Sequence, residues 1–206
     1  AALECAGVDA VSFWTDVTQR ALVLGRAARG PELDRAALGR SGLTVHQRAS
    51  GGGAVLWDEG LLSLDVMLPH GHPLLSRDVV ASYRWLAMAV RDGLRDAGVE
   101  AVALPPDGAR AHPAPTAAIV AAACFGTLSP WEVVVDARKV VGLCQIRRGA
   151  GGLFQVGIAR RLDLADLVAA LGGGEAALAE LTARTAGLTH LPAAQIVGAI
   201  DRRLES

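Results

Sequence analysis

The chain has 206 residues, 51% of them hydrophobic and 20% charged, with a formal net charge of −1. That length and composition suit one globular domain able to bury a core and exclude a disordered chain. The near-neutral balance without a basic block argues against general phosphate-backbone binding, and no apolar run reaches the roughly 20 residues of a membrane helix.

The N-terminal "AALECAGVDA" has neither the basic start nor the apolar core of a signal peptide. Cys5, Cys124 and Cys144 are odd in number and far apart. They offer no metal-ligand pair and no disulfide framework, so the expectation is a reducing cytoplasm with no metal, membrane or nucleic-acid partner. "VSFWTDVTQRALVLG" carries two short strand-like runs, and "PELDRAALGRSG" resembles a short helix ended by glycine. "LTVHQRA" reads as a strand running into "SGGGAVLWDEG", a glycine-rich turn, and "LLSLDVMLP" as a strand stopped by Pro69. Residues 76–97 place apolar side chains at helical spacing, with Gly98 as the stop. "PPDGARAHPAPTA" reads as a proline-rich loop. "WEVVVDARKVVGLCQIRRGAGGLFQVGIARRL" reads as three strands, with Asp136-Ala137-Arg138 and "RRGAGG" as the turns. After Asp163 the chain turns helical and alanine-rich. The expectation is an α+β fold, a mixed and mostly antiparallel sheet packed with helices, divided into a sheet-bearing domain at 1–162 and a helical extension packed on it at 163–206.

Three stretches could carry chemistry. "RASGGGAVLWD" brings consecutive glycine amides together after Arg48, which reads either as a flexible hairpin loop or as an anion-binding nest. Cys124, in "AACFGTLSPWE", is either a small core residue or a nucleophile, the latter only if a cation lies nearby to hold its thiolate. Lys139 is the single lysine among the chain's twenty Lys and Arg. It is either a turn-flanking surface residue or a compact point charge that arginine cannot replace. Cys144, five residues on, would face the other side of a regular strand and so reads as structural.

Together these stretches resemble the biotin/lipoate A/B protein ligase family. "RASGGGAVLWD" resembles its R-x-S-G-G-G-x-V-x-H-D loop. "WEVVVDARKVVGLCQIRRGAGGLFQVGI" resembles its segment E-[LIV]-V-V-x-G-R-K-[VIL]-x-G-S-A-Q-x-R…L-Q-H-G. The likeness covers roughly residues 12–165. It implies a class II aminoacyl-tRNA synthetase/biotin synthetase-like fold. It also implies that Lys139 matches the family's active-site lysine, while Arg48, Ser50, Gly51, Gly52, Gly53, Gly142 and Gln145 contact substrate. "CF" ahead of "WE" resembles the octanoyltransferases that act through a cysteine acyl-enzyme, which makes Cys124 the nucleophile and requires no cofactor. The implied partners are an octanoyl-acyl carrier protein and the lipoyl domains of 2-oxoacid dehydrogenases or the glycine cleavage H protein. Two alternatives accompany this reading: an ATP- and Mg-dependent lipoate-protein ligase, and a non-catalytic paralogue that binds a lipoyl domain or acyl carrier. The chain departs from the pattern at Trp57 and Val156, where histidines are expected, at Leu143-Cys144 in place of Ser-Ala, and at Asp136-Ala137. The pattern N-x-A-x-[DE], expected in a helix ahead of the first strand, does not occur in residues 1–11 of the sequence.

Overall fold

The computed structural model describes residues 10–26 and 33–206. Cys5 and the start of "PELDRAALGRSG" lie outside them.

The main sheet has six strands: β1 (Val11–Thr15), β5 (Leu61–Pro69), β9 (Gly151–Ala159), β8 (Arg138–Arg148), β7 (Val133–Val135) and β6 (Val102–Ala103), in that spatial order. Every neighbouring pair is antiparallel. A smaller sheet sets β2 (Ala21–Leu24) between β3 (Thr44–Gln47) and β4 (Val55–Trp57). Its β2–β3 pair is parallel, which makes the ensemble mixed as expected. Strand β4 lies within what the sequence suggests is only a turn, because the glycines end at Gly53 and three large side chains follow.

Alternation along β5, β9 and β8 divides the main sheet into two faces. Leu64, Val66, Phe154, Val156 and Ile158 point to one face and pack beneath α2 (Arg84–Asp96) and α7 (Ala193–Glu205). The other face carries Ser63, Gln155, Gly157, Gly142 and Cys144, and the small sheet packs over it. Helix α2 begins later than the apolar spacing suggests. Asp78 Oδ1 accepts the Val80 and Ala81 N–H groups at 2.8 and 3.1 Å, starting a 3-10 turn before the helix. Gly98, at φ +88°, ends it where expected. The proline-rich segment is partly helical: α3 (Pro106–Ala111) starts on a proline, whose missing N–H costs nothing in a first turn.

The helical tail is stitched into the rest. Helix α5 (Leu164–Ala170) shares a core with α1 (Arg35–Arg40) and the small sheet, joined there by α6 (Glu175–Arg184). Helix α7 crosses α2 at Gly93, where a Cβ would meet the Ile200 Cα at 2.7 Å. Helix propensity alone favours Gly93→Ala by about 1 kcal/mol. The contact with Ile200 reverses the sign, and we expect a net loss of about 1–3 kcal/mol in urea denaturation.

Candidate active site

One irregularity in β8 builds the site. Val134 pairs with Lys139 and Val133 with Val141, so one step on β7 matches two on β8. This is a β-bulge, and it puts Val140 and Val141 together in the helix-side core. Lys139 is thereby turned onto the same face as Gly142 and Cys144. The expectation that Cys144 faces away from Lys139 fails for this reason: it assumes a regular strand, and both residues line one pocket.

Lys139 is 2% exposed. Its Nζ lies 2.6 Å from Glu132 Oε1 and donates to the carbonyls of Cys124 at 2.6 Å and Thr127 at 3.2 Å. An ammonium has three N–H donors, so all are committed. The Phe125 ring lies 5.5 Å beneath the charge. Burial pulls the Lys139 pKa down, but the Glu132 carboxylate and the nearby sulphurs outweigh it, and the net shift is upward from 10.5. Glu132 is itself buried. Its Oε1 accepts the Leu143 N–H at 3.2 Å and its Oε2 the Ser129 N–H at 2.7 Å. Sequence reasoning quoted Glu132 only within the family-like segment and gave it no role; the available signal was a lone acid heading an all-valine strand.

Cys124 opens a 3-10 turn after α4 (Ala118–Ala122). Its N–H donates to the Ala54 carbonyl, and the Ala54 N–H to Ala122, both at 2.7 Å, in a parallel bridge. Gly53 makes that approach possible, since a Cβ there would meet the Ala122 oxygen at 2.5 Å and the Cys124 nitrogen at 2.7 Å. A Cβ at Gly142 would lie 3.3 Å from Cys124 Sγ and 3.6 Å from Lys139 Nζ, so thiol and ammonium converge on one small volume above Gly142.

Arg48 braces the glycine loop. Its Nη2 donates to the Gly51 and Gly53 carbonyls, each at 2.9 Å, and its Nε to Gly51 at 3.2 Å. The N–H groups of Gly51, Gly52 and Gly53 have no backbone acceptor among the described residues, which leaves them as donors beside the pocket. Ser50 is buried behind the wall, donating to Gln155 Oε1 at 2.7 Å and accepting from Cys144 Sγ at 3.4 Å. Burial pushes the Cys144 thiol up, against a lesser opposing effect from Ser50. It therefore stays protonated near neutral pH. Gln145 is not brought to the pocket. It points to the opposite face, donating to the Val79 carbonyl at 2.8 Å.

The pocket encloses about 110 Å³, well below the roughly 300–1,000 Å³ of sites for drug-sized ligands. Val55, Trp57, Leu61 and Phe125 give it apolar walls, suited to a slender chain. Val156 contributes to the wall while its side chain packs in the helix-side core. A hollow of about 620 Å³ beside Arg20, Glu59 and Arg161 lies apart. It offers no nucleophile, and those charges are already paired, Arg20 with Asp163 and Asp166 and Arg161 with Glu59. Among the described residues no cluster of His, Cys, Asp or Glu could hold a metal, and no helix is long and apolar enough to cross a membrane.

The model of the lipoyl protein ligase A/B catalytic domain family matches residues 6–190. The chain belongs to that family. It is 36% identical over 141 residues to the octanoyltransferase LipM of Exiguobacterium sp. and 34% over 142 residues to that of Moorella thermoacetica. These alignments cover 66% and 68% of this chain, and it spans about half the length of either relative, 49% in each case. Among solved structures, lipoate-protein ligase A bound with ATP matches with a TM-score of 0.73 at 19% identity, over 97% of this chain and 72% of that one. The bi-partite lipoate protein ligase of Thermoplasma acidophilum, described with its E2 lipoyl domain, matches with a TM-score of 0.73 at 19% identity, over 97% and 71%. These likenesses establish the fold, as the motifs implied.

Glu132→Gln leaves the Lys139 charge buried without its counterion, and we expect a loss of about 3–5 kcal/mol near neutral pH, read by chemical denaturation. A folded-state pKa raised above the unfolded value stabilises fully below 10.5, and that stability is lost as pH rises through the folded value. The difference between wild type and Glu132→Gln should therefore be full near neutral pH and narrow as pH rises through the variant's Lys139 pKa, which lies below that of wild type.

Proposed function

We propose that the site transfers an octanoyl or lipoyl group onto the lysine of a lipoyl domain through a thioester on Cys124. The observation that carries this is the convergence of Cys124 Sγ and Lys139 Nζ above Gly142, at the head of a narrow apolar pocket. The LipM relatives support the same reading.

The Cys124 thiolate attacks the carbonyl of an octanoyl thioester on an acyl carrier. The tetrahedral intermediate collapses, the carrier thiolate leaves and takes a proton, and an enzyme thioester remains. The amine of the target lysine then attacks that thioester, losing a proton as Cys124 departs as thiolate. The product amide is more stable than either thioester, which drives the sequence forward. Lys139 acts through its charge, because its three donors already hold Glu132 and the Cys124 and Thr127 carbonyls. The amides of the Gly51–Gly53 loop, without a backbone acceptor among the described residues, are the donors available for an oxyanion. No nucleotide takes part, whereas a ligase activating a free acid would need ATP and Mg.

Intact-mass spectrometry after mixing with octanoyl-carrier protein tests the reading. The expected result is a single octanoyl adduct without ATP, absent in Cys124→Ala, that is discharged by an added lipoyl domain. An acyl adduct formed only with a free fatty acid and ATP would contradict it.

A further inference from the structure

A polar row crosses the pocket face of the main sheet, two residues along from Gly142 and Gly157. Register sets Cys144 on β8 opposite Gln155 on β9, and Gln155 opposite Asp65 on β5. Ser50, 1% exposed, reaches the row from the start of the glycine loop. Hydrogen bonds join the four side chains. Gln155 Nε2 donates to Asp65 Oδ1 at 3.1 Å, Ser50 Oγ to Gln155 Oε1 at 2.7 Å, and Cys144 Sγ to Ser50 Oγ at 3.4 Å. The acyl-transfer steps use none of the four.

Each bond in this chain has a direction, and one residue sets them all. A carboxylate only accepts, so Gln155 must turn its NH2 end toward Asp65 and its oxygen toward Ser50. The Ser50 hydroxyl then donates to that oxygen, which leaves its lone pair for the Cys144 thiol. Nothing else in the row tells the two ends of the amide apart, because Ser50 and Cys144 can each donate or accept. Burial raises the Asp65 pKa above 3.8, and the Gln155 N–H opposes the rise by favouring the charged form.

We propose that Asp65 is a positioning residue of the site: through Gln155 it fixes the Ser50 hydroxyl, and through Ser50 it seats the Gly51–Gly53 amides. The proposal rests on the acyl-transfer reading, in which those amides face the oxyanion. The loop is held from its other sides by backbone alone and by Arg48. The Ser50 carbonyl accepts the Arg26 N–H at 2.8 Å, and Arg48 holds the Gly51 and Gly53 carbonyls. The Ser50–Gln155 bond ties the loop to the main sheet. Without the carboxylate, Gln155 can turn end for end. Its Nε2 then donates to Ser50, whose O–H swings to the Cys144 sulphur and releases the S–H.

Asp65→Asn keeps the shape and removes the directing charge. Single-turnover acylation of Cys124 by octanoyl-N-acetylcysteamine, read by intact mass, should slow at least about tenfold at saturation, with the half-saturating concentration unchanged. Adding Gln155→Glu to Asp65→Asn moves the carboxylate one strand over, where it accepts from the new amide and from Ser50. The pair should recover most of the rate, a non-additivity that lost packing would not give. A second readout is independent of transfer. Of the three cysteines, Cys144 alone remains in a Cys5→Ser, Cys124→Ala background and gives one S–H stretching band in the infrared. With Asp65 present the band should lie below that of an unbonded thiol. It should move toward the unbonded position in Asp65→Asn and return in the paired variant. An unmoved band, or a folded Asp65→Asn protein that acylates at the wild-type rate, would overturn the role of Asp65 and leave the transfer reading standing. A wild type that takes up no acyl group would remove the transfer reading, while the band still reports the direction of the chain.

Discussion

A buried ammonium must be repaid for lost hydration by acceptors on every N–H and by a counterion. The arrangement that does this for Lys139 draws together most of the site. Glu132 supplies the counterion from the segment before β7, and the carbonyls of Cys124 and Thr127 supply the rest. Those carbonyls belong to the turn that presents the thiol, so satisfying the lysine also fixes the nucleophile. The tail takes part as well: the Ala186 N–H donates to the Lys139 carbonyl at 2.8 Å, holding the bulged strand from outside. Arginine could carry the charge, but its planar fork cannot reproduce the compact three-way fit.

The bulge at Val140–Val141 makes this arrangement possible, and it also limits what sequence reasoning could reach. Strand periodicity, the glycine at 98 and the paired strands after Trp131 were legible because each rests on a local rule. The residues that pack against each other through the glycine loop were legible as motifs. The relation of Lys139 to Cys144 was not, since a bulge adds one residue to one strand only and leaves no mark in the pattern of valines. Glu132 and Gln155 were also missed. Glu132 acts on Lys139 across the β7–β8 hairpin, a pairing whose geometry the bulge sets, and Gln155 acts between Ser50 and Asp65, distant in sequence, donating to Asp65 at 3.1 Å.

The departures from the family pattern take on meaning once the two faces of the sheet are separated. Val156 occupies a position whose side chain points into the helix-side core, where an apolar residue packs without an unsatisfied nitrogen. Trp57 lies on the pocket wall and also lines the neighbouring groove beside Thr15 and Thr44. Asp136 and Ala137 both adopt positive φ, at 49° and 60°, forming a two-residue turn whose twist suits the β7–β8 hairpin even without glycine. Cys144 replaces a smaller residue and, kept protonated by burial while donating to Ser50, closes the wall behind the nucleophile.

The composition supplies a direct probe of the central claim. Because Lys139 is the single lysine, labelling the protein with 15N-lysine gives one side-chain nitrogen resonance, which can be followed against pH by NMR. The account predicts an ammonium that remains protonated beyond the ordinary value of 10.5, and one that loses its proton at lower pH in Glu132→Gln. A wild-type resonance that titrates below 10.5, or one that Glu132→Gln leaves unmoved, would contradict the claim that this buried pair organises the site.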